Sequence, residues 1–186
     1  MDAILPVFVA VLLAEMGGRV QAVGNALSVA KRDQATIFAS LLIMSMLMLA
    51  IGAIGGAVIA TMIAFDARSL LFGIALVMAG LPMIIPLGAT KLFPATSDWV
   101  ASLLGFGRAQ IGDATQFIVF AVAARSGEPI LAVIGGLLGI LGAVAPAILL
   151  GPDWRRALPL RIIRAGAAFI LTIAGAWAIV AALQLI

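Results

Sequence analysis

The sequence predicts an all-α polytopic membrane protein with six transmembrane helices arranged as two inverted three-helix repeats. Of its 186 residues, 65% are hydrophobic and only 10% are charged, and the mean hydropathy is +1.27. Such a composition leaves too few polar residues to cover a water-soluble core. At about 20 apolar residues per membrane span, the chain is long enough for six helices with short loops. A polar motif that occurs once in each half of the chain suggests the repeat.

The apolar stretches are separated by short polar connections, and each stretch is expected to form one helix. The expected helices cover about 3–29, 35–64, 69–89, 99–124, 130–150 and 160–185. The first is expected to be a retained helix rather than a signal peptide, because Asp2 stands where a basic segment would and no clear small-residue cleavage site comes after it. Pro82 and Pro86 are expected to kink the third helix or to end it early.

The helices have the same order in both halves, namely a motif-bearing helix, a glycine-rich helix and a plainer apolar helix. The glycines that should let a neighbouring helix approach closely are Gly52, Gly55 and Gly56 in the second helix and Gly135, Gly136, Gly139 and Gly142 in the fifth. Residues 1–90 are therefore predicted to be the first repeat, 91–98 the central connection and 99–186 the second repeat. Three is an odd number of helices, so the halves must enter the membrane in opposite senses.

The repeated motif lies inside the first and fourth apolar stretches. Residues 14–21 read AEMGGRVQ and residues 109–116 read AQIGDATQ, and an offset of 95 residues aligns alanine with alanine, glycine with glycine and glutamine with glutamine. Acids and amides are costly in a membrane core and are functional candidates there by default. A polar motif in corresponding halves is typical of a transporter whose site lies where the repeats meet.

Helical spacing predicts which motif side chains share a face. Gly18, Gln21 and Asn25 form one stripe, with Glu15 and Arg19 beside it as i, i+4 neighbours. Gln110, Asp113 and Gln116 form a comparable stripe, with Arg108 and Thr115 on roughly the opposite side. Two such helices could enclose an oxygen-rich pocket. Its predicted members are Glu15, Asp113, Gln21, Gln110, Gln116 and Asn25. Gly17, Gly18 and Gly112 would allow close approach, or local unwinding that frees carbonyl groups as further ligands.

Structural roles for the same side chains remain open at this point. Glu15 could form an ion pair with Arg19, since a buried charge needs a partner. Asp113 could make a helix–helix hydrogen bond or pair with an arginine, and the amides could join helices. Arg108 could extend its head group to the membrane surface or form a salt bridge.

The residue types that the chain lacks limit the reactions and metal sites that it can support. The chain has no cysteine, histidine or tyrosine, which excludes disulfides and imidazole or thiolate chemistry and makes an intramembrane enzyme the least favoured function. A metal would have to bind to oxygens, which favours hard cations such as Ca²⁺ or Mn²⁺. The net charge is only +3, and no basic cluster is interleaved with aromatics, so nucleic acid is not an expected partner.

Basic residues predict the orientation. One side carries Lys31, Arg32, Lys91, Arg155, Arg156, Arg161 and Arg164, whereas the other carries only Arg68 and Arg125. The side richer in bases should be cytoplasmic, which places both termini on the non-cytoplasmic side. The expected location is a bacterial inner membrane.

With these motifs, the chain resembles the Gdt-type exchangers of Golgi, chloroplast and bacterial membranes, which are implicated in exchanging Mn²⁺ or Ca²⁺ for protons. That family carries the pattern E-x-G-D-[K/R]-[T/S] in each three-helix half, usually followed by Gln. Glu15, Gly17, Arg19 and Gln21 match the first copy, and Gly112, Asp113, Thr115 and Gln116 match the second. The departures are Gly18 for the acid and Val20 for the hydroxyl residue, then Gln110 for the glutamate and Ala114 for the base.

The resemblance implies a proton-coupled exchanger in which Glu15 and Asp113 bind the metal ion and the proton in turn. The remaining motif residues would bind or shape the site. The expected partners are the lipid bilayer, a small cation and protons, with no resident cofactor and with a homo-oligomer left open. Because the two motif copies keep only two acids, two alternatives remain. These are a transporter of another small solute and a non-transporting membrane module in which the charged motif residues form structural ion pairs.

Overall fold

The computed structural model describes residues 3–30, 32–85, 92, 97–154 and 159–184, and this part of the chain is helical and contains no strand. The helices are α1 (Ile4–Glu15), α2 (Arg19–Val29), α3 (Gln34–Ala60), α4 (Phe65–Gly80), α5 (Asp98–Gln110), α6 (Ala114–Ser126), α7 (Pro129–Leu150) and α8 (Leu160–Ala182). Short 3-10 helices at Leu81–Ile84 and Gly151–Asp153 come after α4 and α7. Most of the predicted central connection, 91–98, lies outside the described residues.

Several helices have the length and composition of membrane spans. Among the described residues, four qualify singly: α3, α4 together with its 3-10 extension, α7 together with its extension, and α8. The pair α1–α2 qualifies as a fifth, broken span with a bend of 59°. These four to five apolar spans fit an integral, polytopic membrane protein.

The first and fourth predicted helices are not continuous. Residues 16–18 separate α1 from α2, and residues 111–113 separate α5 from α6. The prediction of one uninterrupted helix in each place was therefore wrong, although local unwinding at the motif glycines was among the expectations. Each piece is short, with α6 spanning 13 residues against the about 20 that a full crossing needs. Both interruptions fall on the repeated motif.

Local signals explain where other helices begin and end. Asp33 caps α3 by accepting from the backbone N–H of Thr36 at 2.8 Å and from its hydroxyl at 2.7 Å, and these bonds hold the pKa of the Asp33 carboxyl below its usual value. This cap contributes stability above the pKa that Asp33 has in the unfolded chain, and the contribution is lost as the pH falls through the folded value. Gly127, at φ +71°, ends α6 in the left-handed conformation.

The predicted glycine-rich helices make close backbone contacts with the motif helices. A Cβ on Gly52 of α3 would lie 2.9 Å from the carbonyl oxygen of Gln116 in α6. A Cβ on Gly135 of α7 would lie 2.6 Å from the carbonyl oxygen of Ile4 in α1. Real Cβ atoms do not approach so closely, so only glycine permits these two packings. The glycine-rich helix of each half thus packs on the motif helix of the other half.

The plainer apolar helices, α4 and α8, cross at glycines as well. A Cβ on Gly175 would lie 2.7 Å from the carbonyl oxygen of Gly73, and a Cβ on Gly80 would lie 2.8 Å from the carbonyl oxygen of Ala168. Gly175 is buried, whereas Gly166 on the same helix is exposed and has open space around it.

This contrast gives a test of the crossing. Gly175→Ala should lower the free energy of unfolding by about 1–3 kcal/mol, because the added methyl group forces the two backbones apart. Gly166→Ala should be neutral or stabilising by up to about 1 kcal/mol, because alanine has the higher helix propensity. Denaturant unfolding of both variants in detergent measures the difference. Equal effects of the two substitutions would contradict the crossing.

Candidate functional site

The two motif breaks have the same backbone conformation. In each, an extended residue, a left-handed glycine and a second extended residue stand one after another. The first break consists of Met16 (ψ 109°), Gly17 (φ +68°) and Gly18 (ψ 179°). The second consists of Ile111 (ψ 118°), Gly112 (φ +66°) and Asp113 (ψ 156°). Glycine is the residue that adopts positive φ without steric cost, so the glycine shared by both motif copies determines where each helix is interrupted.

The glutamine that ends each motif copy stabilises the break. The backbone N–H of Gly17 donates to Oε1 of Gln21 at 2.8 Å, and that of Gly112 donates to Oε1 of Gln116 at 3.3 Å. A break inside a helix leaves N–H groups without helical partners, and an apolar membrane offers no water to replace them. A side-chain amide four residues later therefore supplies the acceptor in both copies.

The amide nitrogens of the same glutamines join the two halves. Nε2 of Gln21 donates to the carbonyl oxygen of Ala143 in α7 at 2.5 Å, and Nε2 of Gln116 donates to the carbonyl oxygen of Met48 in α3 at 3.3 Å. Asn25 likewise donates to the carbonyl oxygens of Ala147, at 3.2 Å, and of Gly151. These three predicted site residues therefore form hydrogen bonds to backbone carbonyl groups, which is the structural role of joining helices.

Glu15, the last residue of α1, is at the centre of the arrangement. Its side chain is only 1% exposed, and its Oε1 accepts from the Thr115 hydroxyl at 2.8 Å. This bond joins the first break directly to the second. The structure shows no ion pair between Glu15 and Arg19, both of which it describes, and Arg19 is exposed. The other oxygen of Glu15, Oε2, is buried without a hydrogen-bond partner.

The carboxyl group of Asp113 lies beside that of Glu15. It lies close enough for its charge to act on Glu15. Two ionised carboxylates have no donor between them, so in general a hydrogen bond within such a pair requires one of the two to hold a proton. When both are ionised, their repulsion calls for a cation between or beside them. The arrangement is therefore chemically suited to hold either a proton or a cation.

Gln110 occupies the motif position equivalent to Glu15, and its environment is similar. It is 4% exposed, and its Nε2 donates to the hydroxyl of Ser45 in α3 at 2.9 Å. Its oxygen, Oε1, is buried without a hydrogen-bond partner, as is Oε2 of Glu15. Buried acceptors without partners are uncommon in proteins, and a bound ion or water molecule is one way to satisfy them. The same motif position thus presents an unsatisfied oxygen in each half.

The position of Thr115 differs from the one that helical spacing predicts. A single helical wheel places Thr115 opposite the stripe of Gln110 and Asp113, yet Thr115 and Asp113 both reach Glu15. The wheel assumes one continuous helix, whereas the chain changes direction at Gly112. Arg108, one of the predicted site-shaping bases, is exposed.

Two partners of the motif were not singled out from the sequence. Ser45 binds Gln110, and Arg164, counted only as an orientation signal, donates to the carbonyl oxygen of Gly17 at 2.5 Å. The sequence signal for Arg164 is its place one turn inside an apolar helix, where a charge needs a local partner. Within the described residues, no group of three or more acidic side chains gathers in a way that could hold a metal ion.

Comparison with known families bears on the second half of the chain. Residues 98–185 match the family model of the divalent cation/proton antiporter GDT1, a match that supports a Gdt1-type family member and bears out the resemblance seen in the motifs. Transporter, antiporter and cation transport follow from that family, and its members are not enzymes. No curated protein matches the chain, and no solved structure does.

The bond between the two breaks can be tested through Thr115. Thr115→Val keeps the shape but removes the donor to Glu15, so the free energy of unfolding should fall by about 1–3 kcal/mol, the cost of leaving a buried acceptor unsatisfied. Thr115→Ser keeps the hydroxyl and should lose less. Thr61→Val is the matched control, because the hydroxyl of Thr61 bonds to the carbonyl of Val58 at an exposed helix end. If Thr61→Val lowers the free energy of unfolding as much as Thr115→Val does, the buried bond to Glu15 contributes no more stability than an exposed one.

Proposed function

We propose that this chain, a Gdt1-type family member, exchanges a divalent cation, Mn²⁺ or Ca²⁺, for protons at a site between the two motif breaks. Antiport of a divalent cation and protons is what the family match indicates. The location of the site and the choice of these two ions are our proposal. In it, Glu15 and Asp113 bind the ion and the proton in turn.

The observation that carries the proposal is the buried, unsatisfied oxygen in each half. Oε2 of Glu15 and Oε1 of Gln110 are both without hydrogen-bond partners, and they occupy the same position of the repeated motif. Hard divalent cations bind to carboxylate and amide oxygens of this kind. A cation held by these oxygens and by Asp113 would satisfy groups that are otherwise costly to bury.

Charge balance favours a two-for-one exchange at this site. The carboxylates of Glu15 and Asp113 together carry the charge that neutralises one divalent cation. Protonating both carboxylates neutralises the site equally well. A dry environment favours the protonated carboxyl group, whereas a bound cation favours the ionised group, so the same oxygens can hold either. Gln21, Gln116 and Asn25 would orient the breaks rather than bind the ion directly.

Several pairs of contacts support an inverted repeat of six spans, with the broken helix α5–α6 as the counterpart of α1–α2. Gln21 bonds to the carbonyl of Ala143, and Gln116 bonds to that of Met48. An offset of 95 residues relates Gln21 to Gln116 and Met48 to Ala143, so each bond becomes the other when the halves are exchanged. The contacts of Gly175 with Gly73 and of Gly80 with Ala168 have the same property. Such reciprocity is expected of two repeats around a twofold axis.

The remaining features of the proposal rest on the sequence. Residues 1–90 and 99–186 would be the repeats, joined by 91–98. Both termini would lie on the non-cytoplasmic side of a bacterial inner membrane because of the bias in basic residues. Lipid, the cation and protons would be the partners.

One observation favours a second candidate, a transporter of another small solute. The motif copies keep two acids where the family pattern has four, and no cluster of three acids exists among the described residues. A site with two carboxylates provides fewer charges for a divalent ion than the family pattern does.

Variants that neutralise the carboxylates should show whether these groups serve transport or only the folded structure. Glu15→Gln keeps an oxygen that can accept from Thr115, and Asp113→Asn keeps the side-chain shape, so both proteins should remain folded. Neither amide can exchange a proton for a metal ion. We therefore expect each variant to lose cation-driven proton movement in proteoliposomes by at least about a hundredfold, the lower end of what a positioned proton-transfer group contributes. Glu128→Gln, on an exposed turn, is the matched control and should transport normally. Normal transport by Glu15→Gln would refute the role of Glu15.

Restoring the family acids should strengthen ion binding. Gln110→Glu adds a carboxylate at the unsatisfied position and should increase affinity for Mn²⁺ or Ca²⁺, measured by calorimetry on purified protein. Gly18→Asp is the harder change, because a Cβ on Gly18 would lie 2.9 Å from Oε2 of Glu15 and the Glu15 side chain would have to rotate. A folded Gln110→Glu protein with unchanged affinity for both ions would favour the second candidate.

A further inference from the structure

Arg164, in the first turns of α8, donates four hydrogen bonds to backbone carbonyl groups. Its Nη1 donates to Gly17 at 2.5 Å, and its Nη2 donates to Met83 and to Ile85, each at 3.0 Å. Its Nε also donates to Met83, at 3.2 Å. One guanidinium thus connects three separate parts of the chain, namely α8, the first motif break and the end of the third predicted span.

The aliphatic part of Arg164 packs against the same break. A Cβ on Gly17 would lie 2.6 Å from Cδ and 2.7 Å from Cγ of Arg164. Position 17 therefore requires glycine for two reasons: the backbone has a positive φ there, and Arg164 fills the space that a Cβ would occupy. The interruption of the helix frees the Gly17 carbonyl, and Arg164 provides its donor.

Among the described residues, the glycine of the second break has no equivalent packing contact. A Cβ on Gly112 would meet nothing within 4 Å, and Gly112 is exposed, whereas Gly17 is half-buried. The offset of 95 residues relates Arg164 to Ser69, whose side chain is too short to reach as far as an arginine. The two breaks share their backbone conformation and their glutamine bond. They differ in that, among the described residues, an arginine side chain packs against the glycine of the first break and not against that of the second.

We propose that Arg164 is a positioning residue that holds the first motif break closed and so determines from which side of the membrane Glu15 can be reached. The inference rests on the proposed transport function. In an inverted repeat, alternating access exchanges the conformations of the two halves. A contact made by only one half must therefore break in each cycle, and the Arg164 contact with Gly17 meets this condition.

Labelling of single cysteines tests the closure directly, because the native chain contains no cysteine. Met16→Cys reports on the first break and Ile111→Cys on the second, in the full-length protein in proteoliposomes with a membrane-impermeant maleimide. Arg164→Gln should raise the labelling rate of Met16→Cys at least about fivefold, the lower end of typical coupling between two states. The rate at Ile111→Cys should not rise. Arg161→Gln, an exposed arginine one turn earlier on α8, is the matched control and should change neither rate.

A glycine pair provides a second test that leaves Arg164 in place. Gly17→Ala and Gly112→Ala both place alanine at nearly the same positive φ and so carry the same backbone strain. Only Gly17→Ala displaces Arg164. We expect Gly17→Ala to raise labelling of Met16→Cys as Arg164→Gln does, and Gly112→Ala to leave it unchanged.

The outcomes separate this inference from the transport function. Unchanged labelling of Met16→Cys in both Arg164→Gln and Gly17→Ala would overturn the inference, even if transport is present. Equal increases in the Arg161→Gln or Gly112→Ala controls would overturn it too, since they would indicate general loosening. Increased labelling confined to Arg164→Gln and Gly17→Ala supports the closure whether or not Mn²⁺ or Ca²⁺ moves. If Arg164→Gln does not fold, the glycine pair alone decides between these results.

Discussion

The hydrogen bond from a left-handed glycine to the glutamine four residues later is the constraint on which the rest of the structure depends. It occurs at Gly17 with Gln21 and at Gly112 with Gln116, and in both places it stabilises an interruption that an apolar surrounding would otherwise forbid. Because the helix stops there, Glu15 stands at a helix end and Asp113 precedes the next helix. The two carboxyl groups can then face each other together with Thr115.

The glutamines also link this local constraint to the arrangement of the helices. Each one has its oxygen on its own break and its nitrogen on a carbonyl of the other half. A change in the conformation of one break therefore alters a bond to the opposite half. Side chains that look like ion ligands in the sequence can thus serve as mechanical connections, and in the proposed exchange the acids alone carry the exchangeable charge. This division of roles is consistent with a site that keeps two acids.

Composition was sufficient to predict a helical chain with several apolar spans, of which the described residues contain four to five. The repeated motif included Thr115 and Asp113, which lie beside Glu15. The motif glycines also suggested unwinding. The helical wheel failed at Thr115, because its geometry holds only for an unbroken helix and the break reorients the residues beyond Gly112. Arg164 was missed for a different reason. Its partners are backbone carbonyls, which leave no mark on the sequence, and an arginine near a helix end is equally typical of a signal of membrane orientation.

The crossing of α4 and α8 at Gly73 and Gly175 has a mechanical consequence. At this point the two backbones are in direct contact, and the side chains of Val77 and Ile179 lie beside that contact. Few side chains therefore have to change position when the helices rotate relative to each other. Interlocked side chains would resist such rotation, because each would have to leave one groove and enter the next. The glycine contact therefore favours this crossing as the place where the two helices can turn relative to each other.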